Sequence, residues 1–249
     1  MNILCLVAHP DDETILCGGT LALLASRGAS VHVACLTRGE GGELGEPPVA
    51  DREHLGELRE QEMVCAVGKL GGKSLTFLGY ADPLAGPDDK LFAPEHDPMM
   101  LAGQIVSTIK QFEAEAVITH GSNGEYGHPA HSLMHQMTLI AVNSLHKETA
   151  TSLLSPALYT FSAAFPDHPY PRLLNKDDPA DLILDVSSML DKKEVAALCH
   201  KSQNALFVRR RSQQAGRQLT VREALVTVES LHRVFESPGD ELSRLLSET

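Results

Sequence analysis

The stretch Ala8-His9-Pro10-Asp11-Asp12-Glu13-Thr14 decides how this chain is read. It follows the apolar run Asn2-Ile3-Leu4-Cys5-Leu6-Val7, which reads as a buried strand. Three carboxylates in succession repel one another and resist burial at the end of a core strand, and the imidazole beside them is polar too. In open α/β sheets, ligands bind beyond the C-terminal ends of the strands. A strand–loop–helix unit at that place suggests a nucleotide site, but the residue types reject it. A pyrophosphate cradle needs glycines for close backbone approach and excludes carboxylates facing the anion. A cation fits where Asp11, Asp12 and Glu13 stand. The plainer alternative is a helix cap: Asp11 or Asp12 at the N-cap, with Glu13 in the first turn, would stabilise a helix end unaided.

Outward from this stretch, strand and helix signals alternate. Residues 14–27 predict a helix that stops at Gly28, and 31–37 a second buried strand. A loop at 38–43 leads to a helix over 50–70 and a third strand over 74–78. Residues 79–98, rich in Gly, Pro and Asp, read as a long loop of the kind that often carries function. A helix over 99–112 and a strand over 115–120 follow, then a helix over 129–146 that opens on Pro129, a residue suited to the first helical position. Residues 157–162 and 182–186 read as strands, 187–201 as a helix, and 224–235 as either. This order implies a single α/β domain, with a mostly parallel Rossmann-like sheet and helices on both faces. Within 1–249, residues 1–150 form the core and 151–249 complete the pocket.

A second polar cluster, Tyr126-Gly127-His128-Pro129-Ala130-His131, lies past the fourth strand, at the same sheet edge as the first. The two clusters can therefore converge on a divalent metal. Two histidines and one carboxylate with an open position are a usual ligand set for catalytic zinc, which lowers the pKa of a bound water to about 7. His135, one turn beyond His131, reads as surface or as support for the site.

At this point the residues resemble a known family. AHPDDE followed by NGEYGHPAH is similar to the LmbE-like or PIG-L zinc-dependent N-deacetylases. Thr37-Arg38-Gly39-Glu40-Gly41-Gly42, Arg59-Glu60-Gln61-Glu62, Phe77-Leu78-Gly79-Tyr80-Ala81-Asp82, and Lys193 with Ala196, His200, Ser202 and Gln203 resemble its further motifs. The resemblance implies removal of acetyl from an N-acetylglucosamine conjugate, such as a mycothiol or bacillithiol precursor. It implies His9, Asp12 and His131 as ligands of zinc, with iron(II) the alternative, and Asp11 as general base. It implies a protonated His128, assisted by Tyr126, as the group that stabilises the oxyanion or protonates the leaving amine. Arg38, Glu40, Arg59, Asp82 and His200 are the implied substrate contacts; a surface ion pair competes for Arg59 and a turn cap for Asp82. The chain departs from the family at Ala130, where many members carry aspartate between the two histidines. If that aspartate tunes the catalytic histidine, the alkaline limit of activity here is shifted down.

Composition narrows the function classes. A formal net charge of −12 argues against nucleic acid as a partner, because phosphate contacts need clustered basic side chains. The basic cluster Arg209-Arg210-Arg211 reads as a solvated loop. No apolar stretch is long enough to span a membrane and no signal peptide is evident, so a soluble cytoplasmic protein is expected. Five scattered cysteines are expected to be buried free thiols. The implied partner is a small amino-sugar substrate, and a homo-oligomer is expected from the relatives. A metal-dependent amidase of the same fold acting on a larger thiol-conjugate amide is the competing activity. An iron oxygenase shares the donor set but usually sits on an all-β scaffold. A nucleotide-binding domain without chemistry would require the glycines that are missing.

Overall fold

The computed structural model describes residues 1–148, 155–236 and 241–247. The first strand, β1 (Asn2–Val7), lies at the centre of the sheet and is apolar on both faces. Its alternating side chains divide the core in two. Ile3, Cys5 and Val7 pack with Leu21, Met63 and Leu70 on one face, and Leu4 and Leu6 with Ile105, Ile109 and Met134 on the other. Burial on both faces is why the strand reads as a continuous apolar run.

The remaining strands are β2 (Ser30–Thr37), β3 (Ser74–Tyr80), β4 (Ala116–Thr119), β5 (Ala157–Phe161), β6 (Ala163–Ala164), β7 (Asn175–Pro179), β8 (Leu182–Asp185) and β9 (Val228–Phe235). The main sheet runs β3-β2-β1-β4-β5-β9-β8, and β6 pairs β7 beside it. From β3 to β5 every pairing is parallel; β9 enters antiparallel between β5 and β8. The helices are α1 (Asp12–Ile15), α2 (Gly18–Ser26), α3 (Leu55–Leu70), α4 (Pro98–Gln111), α5 (Gly124–Gly127), α6 (Pro129–Glu148), α7 (Leu190–Ala197), α8 (Lys201–Ala215), α9 (Val221–Ala224) and α10 (Glu241–Ser247). Residues of α2, α3, α7 and α10 cover the first face, and residues of α4 and α6 the second. The expected fold class therefore holds. Among the described residues no helix is long and apolar enough to cross a membrane.

Several expectations need correction. The helix expected over 14–27 breaks into α1 and α2 at Cys17, whose φ of −143° is not helical. The break seats the start of α2 on Glu229, which accepts from the Gly19 and Thr20 amides at 2.9 and 2.7 Å. A Cβ at Gly19 would lie 2.4 Å from Val186 Cγ2, so this contact requires glycine. The helix expected over 50–70 starts only at Leu55. The one expected over 187–201 is α7, broken near His200 and followed by α8, so Arg209-Arg210-Arg211 is helix rather than loop. Residues 228–235 settle as strand.

The cysteine expectation holds for Cys5, Cys17 and Cys35, which are free and buried, and fails for the other two. Cys65 on α3 and Cys199 after α7 form a disulfide, because the packing of these helices brings their Cα atoms to 5.9 Å. At a sequence separation of 134, nothing local in the sequence marks the pair.

Candidate metal and catalytic site

Strand order reverses its direction of growth between β1 and β4, and such a switch point opens a crevice at the C-terminal edge of the sheet. β1 delivers residues 8–13 to that crevice and β4 delivers 120–131, so the two polar clusters meet. The capping alternative fails on geometry. Asp11 stands at the N-cap of α1, but its side chain accepts no cap hydrogen bond.

Two overlapping groups of buried side chains could hold a metal ion: His9, His128 and His131, and Asp12, His120 and His131. Asp12 sits between them. Its Oδ2 accepts from the His9 amide at 2.9 Å and lies 3.4 Å from His9 Nδ1, while its Oδ1 lies 3.4 Å from His131 Nε2. Glu125 Oε2 lies 2.6 Å from His131 Nδ1, which sets that nitrogen as the donor and leaves a lone pair on Nε2. That Nε2 is buried without a hydrogen-bond partner. Such an orphan is rare in a native core and fits a group that a cation would complete. His120 differs. Its Nε2 accepts from the Ala8 amide at 3.0 Å and its Nδ1 meets Glu125 at 2.9 Å, so both nitrogens are engaged.

Charge balance points the same way. Burial disfavours the ionised Asp12 carboxyl, but His131, His120 and His9 outweigh it and hold the group well below its usual range. Burial opposes a proton on His9, yet Asp12 and Asp82 raise it to about 10. Carboxylates flank both ring nitrogens, Asp12 at Nδ1 and Asp82 Oδ1 3.4 Å from Nε2. The same carboxylates that favour a proton on this ring would favour a divalent cation beside it.

Asp11 is set at an unusual φ of 112°. Burial raises its carboxyl to about 6 against the Arg59 guanidinium, 3.5 Å away. His128 differs from the expected protonated histidine. Burial, His9 and His131 hold it far down, and the Ala130 amide donates to its Nδ1 at 3.2 Å. It is therefore a neutral imidazole with its N–H at Nε2. Ala130 itself is fully buried in the core of the second face. Tyr126 packs edge-on against His128 and His131, with ring centroids 5.6 and 5.4 Å apart. Partial burial and the carboxylates of Asp12 and Asp11 push its phenol up, so it stays an O–H donor. A cavity of about 710 Å³ opens onto His9, Asp11, Asp12, Tyr126 and His128, a size typical of small-molecule sites.

Residues 4–142 match the model of the PIG-L family, described as GlcNAc-PI de-N-acetylase. The chain belongs to the PIG-L family. The 1D-myo-inositol 2-acetamido-2-deoxy-alpha-D-glucopyranoside deacetylase 3 of Catenulispora acidiphila is 37% identical over 164 residues, 57% of this chain and 45% of its own length. The deacetylase of the same substrate from Mycobacterium sp. strain JLS is 30% identical over 221 residues, 79% of this chain and 72% of that one. The chain thus spans about half the length of the first relatives it matches. Among solved structures, the N,N'-diacetylchitobiose deacetylase of Pyrococcus horikoshii superposes with a TM-score of 0.62 at 17% identity, covering 94% of this chain and 83% of its own. The 4-carboxy-2-hydroxymuconate hydratase of Pseudomonas putida KT2440 gives 0.65 at 23% identity, with 95% and 97% covered. At these identities the structures show a shared fold, and a deacetylase and a hydratase both use it.

The other PIG-L motif residues divide into those that reach the cavity and those that brace it. Arg59 is 3% exposed, so it is no surface ion pair; it donates to the carbonyls of Gly39 and Pro10 and thereby clamps two site loops together. Asp82 lines the cavity, accepts from the Gly41 amide and stands against His9, so it orients that ring rather than capping a turn. Arg38 is directed away: it is exposed and pairs with Glu40 and Glu60, outside the cavity lining. Glu40 lies outside the lining as well, and accepts from the Asp82 amide at 3.1 Å. His200 is buried one layer back, with Nε2 2.8 Å from Glu13, whose other oxygen accepts from the Asp11 amide. His135 is half-buried, its Nδ1 3.0 Å from the His120 carbonyl. The residues that sequence reasoning passed over are Glu125 and His120. The backbone at Glu125 has φ 57° and ψ −89°, and the side chain also accepts from the Gly121 amide and from Asn175 Nδ2.

Proposed function

We propose that this PIG-L chain hydrolyses the acetamide of an N-acetylglucosamine conjugate, with a divalent cation held by His9, Asp12 and His131. The observation that carries the reading is the buried, unpartnered Nε2 of His131 facing Asp12 in the same site as Asp11. Two imidazoles and one carboxylate suit zinc, with iron(II) the alternative. Bound there, the cation would polarise the acetyl carbonyl and make a water acidic enough to attack near neutral pH.

The side chains supply the proton transfers. Asp11, raised to about 6, is ionised at neutral pH and still basic enough to take a proton from the attacking water. The oxyanion that forms at the acetyl carbon accepts from the Nε2–H of His128 and the phenol of Tyr126. Asp11 then returns its proton to the nitrogen as the C–N bond breaks, leaving acetate and a free amino sugar. Asp82 and Gln203 offer polar groups for sugar hydroxyls along the cavity.

The reading treats residues 1–249 as one catalytic unit. Its support is that residues beyond 150, among them Arg172, Gln203 and Arg210, line the same cavity as the core motifs. A cytoplasmic location draws support from the three buried free thiols, while the Cys65–Cys199 bond weighs against it. The test is acetate release from free, malyl, inositol and chitobiose N-acetylglucosaminides by the zinc-loaded chain, beside Asp11→Asn. Release by the native chain alone supports the deacetylase. Binding of zinc with no release from any of the four moves the assignment to the larger-amide hydrolase.

A further inference from the structure

The basic triplet of the sequence gains a use once α8 is in place. Gln203, Leu206, Phe207, Arg210 and Gln214 recur at three- and four-residue spacing, so one face of α8 looks onto the site. The three arginines then behave differently. Arg209 is paired with Glu43 and Glu46. Arg210 has no carboxylate partner among the described residues, and it lines both the catalytic cavity and a smaller one beside it.

Arg211 is 5% exposed and also has no carboxylate partner among the described residues. Its guanidinium stacks over the Tyr170 ring at 3.0 Å, with Phe207 at 5.7 Å. Burial lowers it to about 10, so it remains charged at neutral pH. A buried cation without a counter-ion is destabilising, and proteins retain one where a ligand supplies the missing charge. Arg172, from the segment before β7, joins Arg210 and Arg211 in the smaller cavity. That cavity holds about 150 Å³ and is shared with Asp11, Asp12 and Tyr126, so it adjoins the reacting centre. Three guanidinium groups without a carboxylate partner among the described residues line this cavity in a chain of net charge −12.

We propose that Arg172, Arg210 and Arg211 hold an anionic group, carboxylate or phosphate, on the aglycone of the N-acetylglucosaminide, so that the enzyme selects anionic over neutral glycosides. The proposal rests on the deacetylase reading above. Planar guanidinium groups suit both oxyanions, and charge-assisted hydrogen bonds are the stronger kind.

The test compares kcat/KM of the zinc-loaded chain on malyl N-acetylglucosaminide, N-acetylglucosamine 1-phosphate and neutral methyl N-acetylglucosaminide. The expected result is a preference for at least one anionic substrate of about ten- to a hundredfold. It weakens with added salt and falls toward one, through KM, in Arg210→Gln and Arg211→Gln. The malyl and phosphate arms tell which anion the site takes. Arg210 is exposed, so its variant keeps the test open should Arg211→Gln fail to fold. Turnover of the neutral glycoside at an equal rate, or a preference untouched by Arg210→Gln, overturns the proposal and leaves the deacetylase reading standing. If no glycoside is turned over, that reading fails instead. The arginine site is then read by calorimetric binding of malate and of inorganic phosphate, and equal binding by wild type and Arg210→Gln overturns it.

Discussion

Asp11 occupies a backbone position, φ 112°, that a non-glycine residue adopts only where its surroundings hold it there. Its amide donates to Glu13, and its carbonyl accepts from the amides of Thr14 and Ile15, so the turn fixes where the carboxylate points. Asp11→Asn keeps this shape and removes the base. We expect kcat to fall by about 10²- to 10⁴-fold, with zinc stoichiometry unchanged, as read by turnover and metal analysis. The pH dependence follows in sign. A base works when ionised, so kcat/KM falls as pH drops through its pKa. Asp11 lies at about 6 before a cation adds its pull, so the acid limb should have its midpoint at or below pH 6. A midpoint above 7 would exclude Asp11 as the base. Glu125 acts one bond further out, by orienting His131. Glu125→Gln should weaken zinc binding by about ten- to a hundredfold in a chelator competition, whatever its effect on turnover. The two polar clusters that carry His9, Asp11, Asp12, His128 and His131 are readable from the sequence because both fall past strand ends at one edge of the sheet, while the separate roles of these residues follow only from the resemblance. Glu125 and His120 were not readable, because their roles are hydrogen bonds to other site residues that spacing does not reveal.

Between elements, the join that matters most for the scaffold is the buried pair of Lys193 on α7 and Glu229 on β9, 2.6 Å apart. Glu229 also holds the Gly19 amide and both the amide and hydroxyl of Thr20, which ties the N-terminus of α2 to the same point. The two single variants should therefore differ. Glu229→Leu strands a buried ammonium and two amides, and should cost about 3–5 kcal/mol in urea unfolding. Lys193→Met leaves the carboxylate with three donors and should cost less; an equal or larger loss would contradict this picture. The central parallel strands β1, β2 and β4 were readable because strands buried on both faces are apolar runs. β7 was not: its sequence, NKDDP, is polar, and its residues pair with β6 and brace the site loop through Asn175 and Asp178. The broken helices around Cys17 and His200 were hidden for a related reason, since tertiary contacts rather than local propensity impose the breaks.

At the scale of the whole molecule, the disulfide and the candidate metal site both tie together parts of the chain that lie far apart in sequence. The disulfide is checked simply: unfolded without reductant the chain should expose three reactive thiols, and with reductant five. Five in both cases would remove it. The candidate metal site brings the segment after β1 to the segment after β4 across more than a hundred residues, and both clusters carry donors suited to one ion. The central claim is that this centre is what makes the crevice catalytic. The most direct measurement is acetate release from an N-acetylglucosaminide as zinc is titrated into chelator-stripped protein. The account predicts no release at the start, a rise that saturates at one ion per chain, and no rise in His131→Ala. Full activity in the stripped protein, or an unchanged titration in His131→Ala, would contradict it.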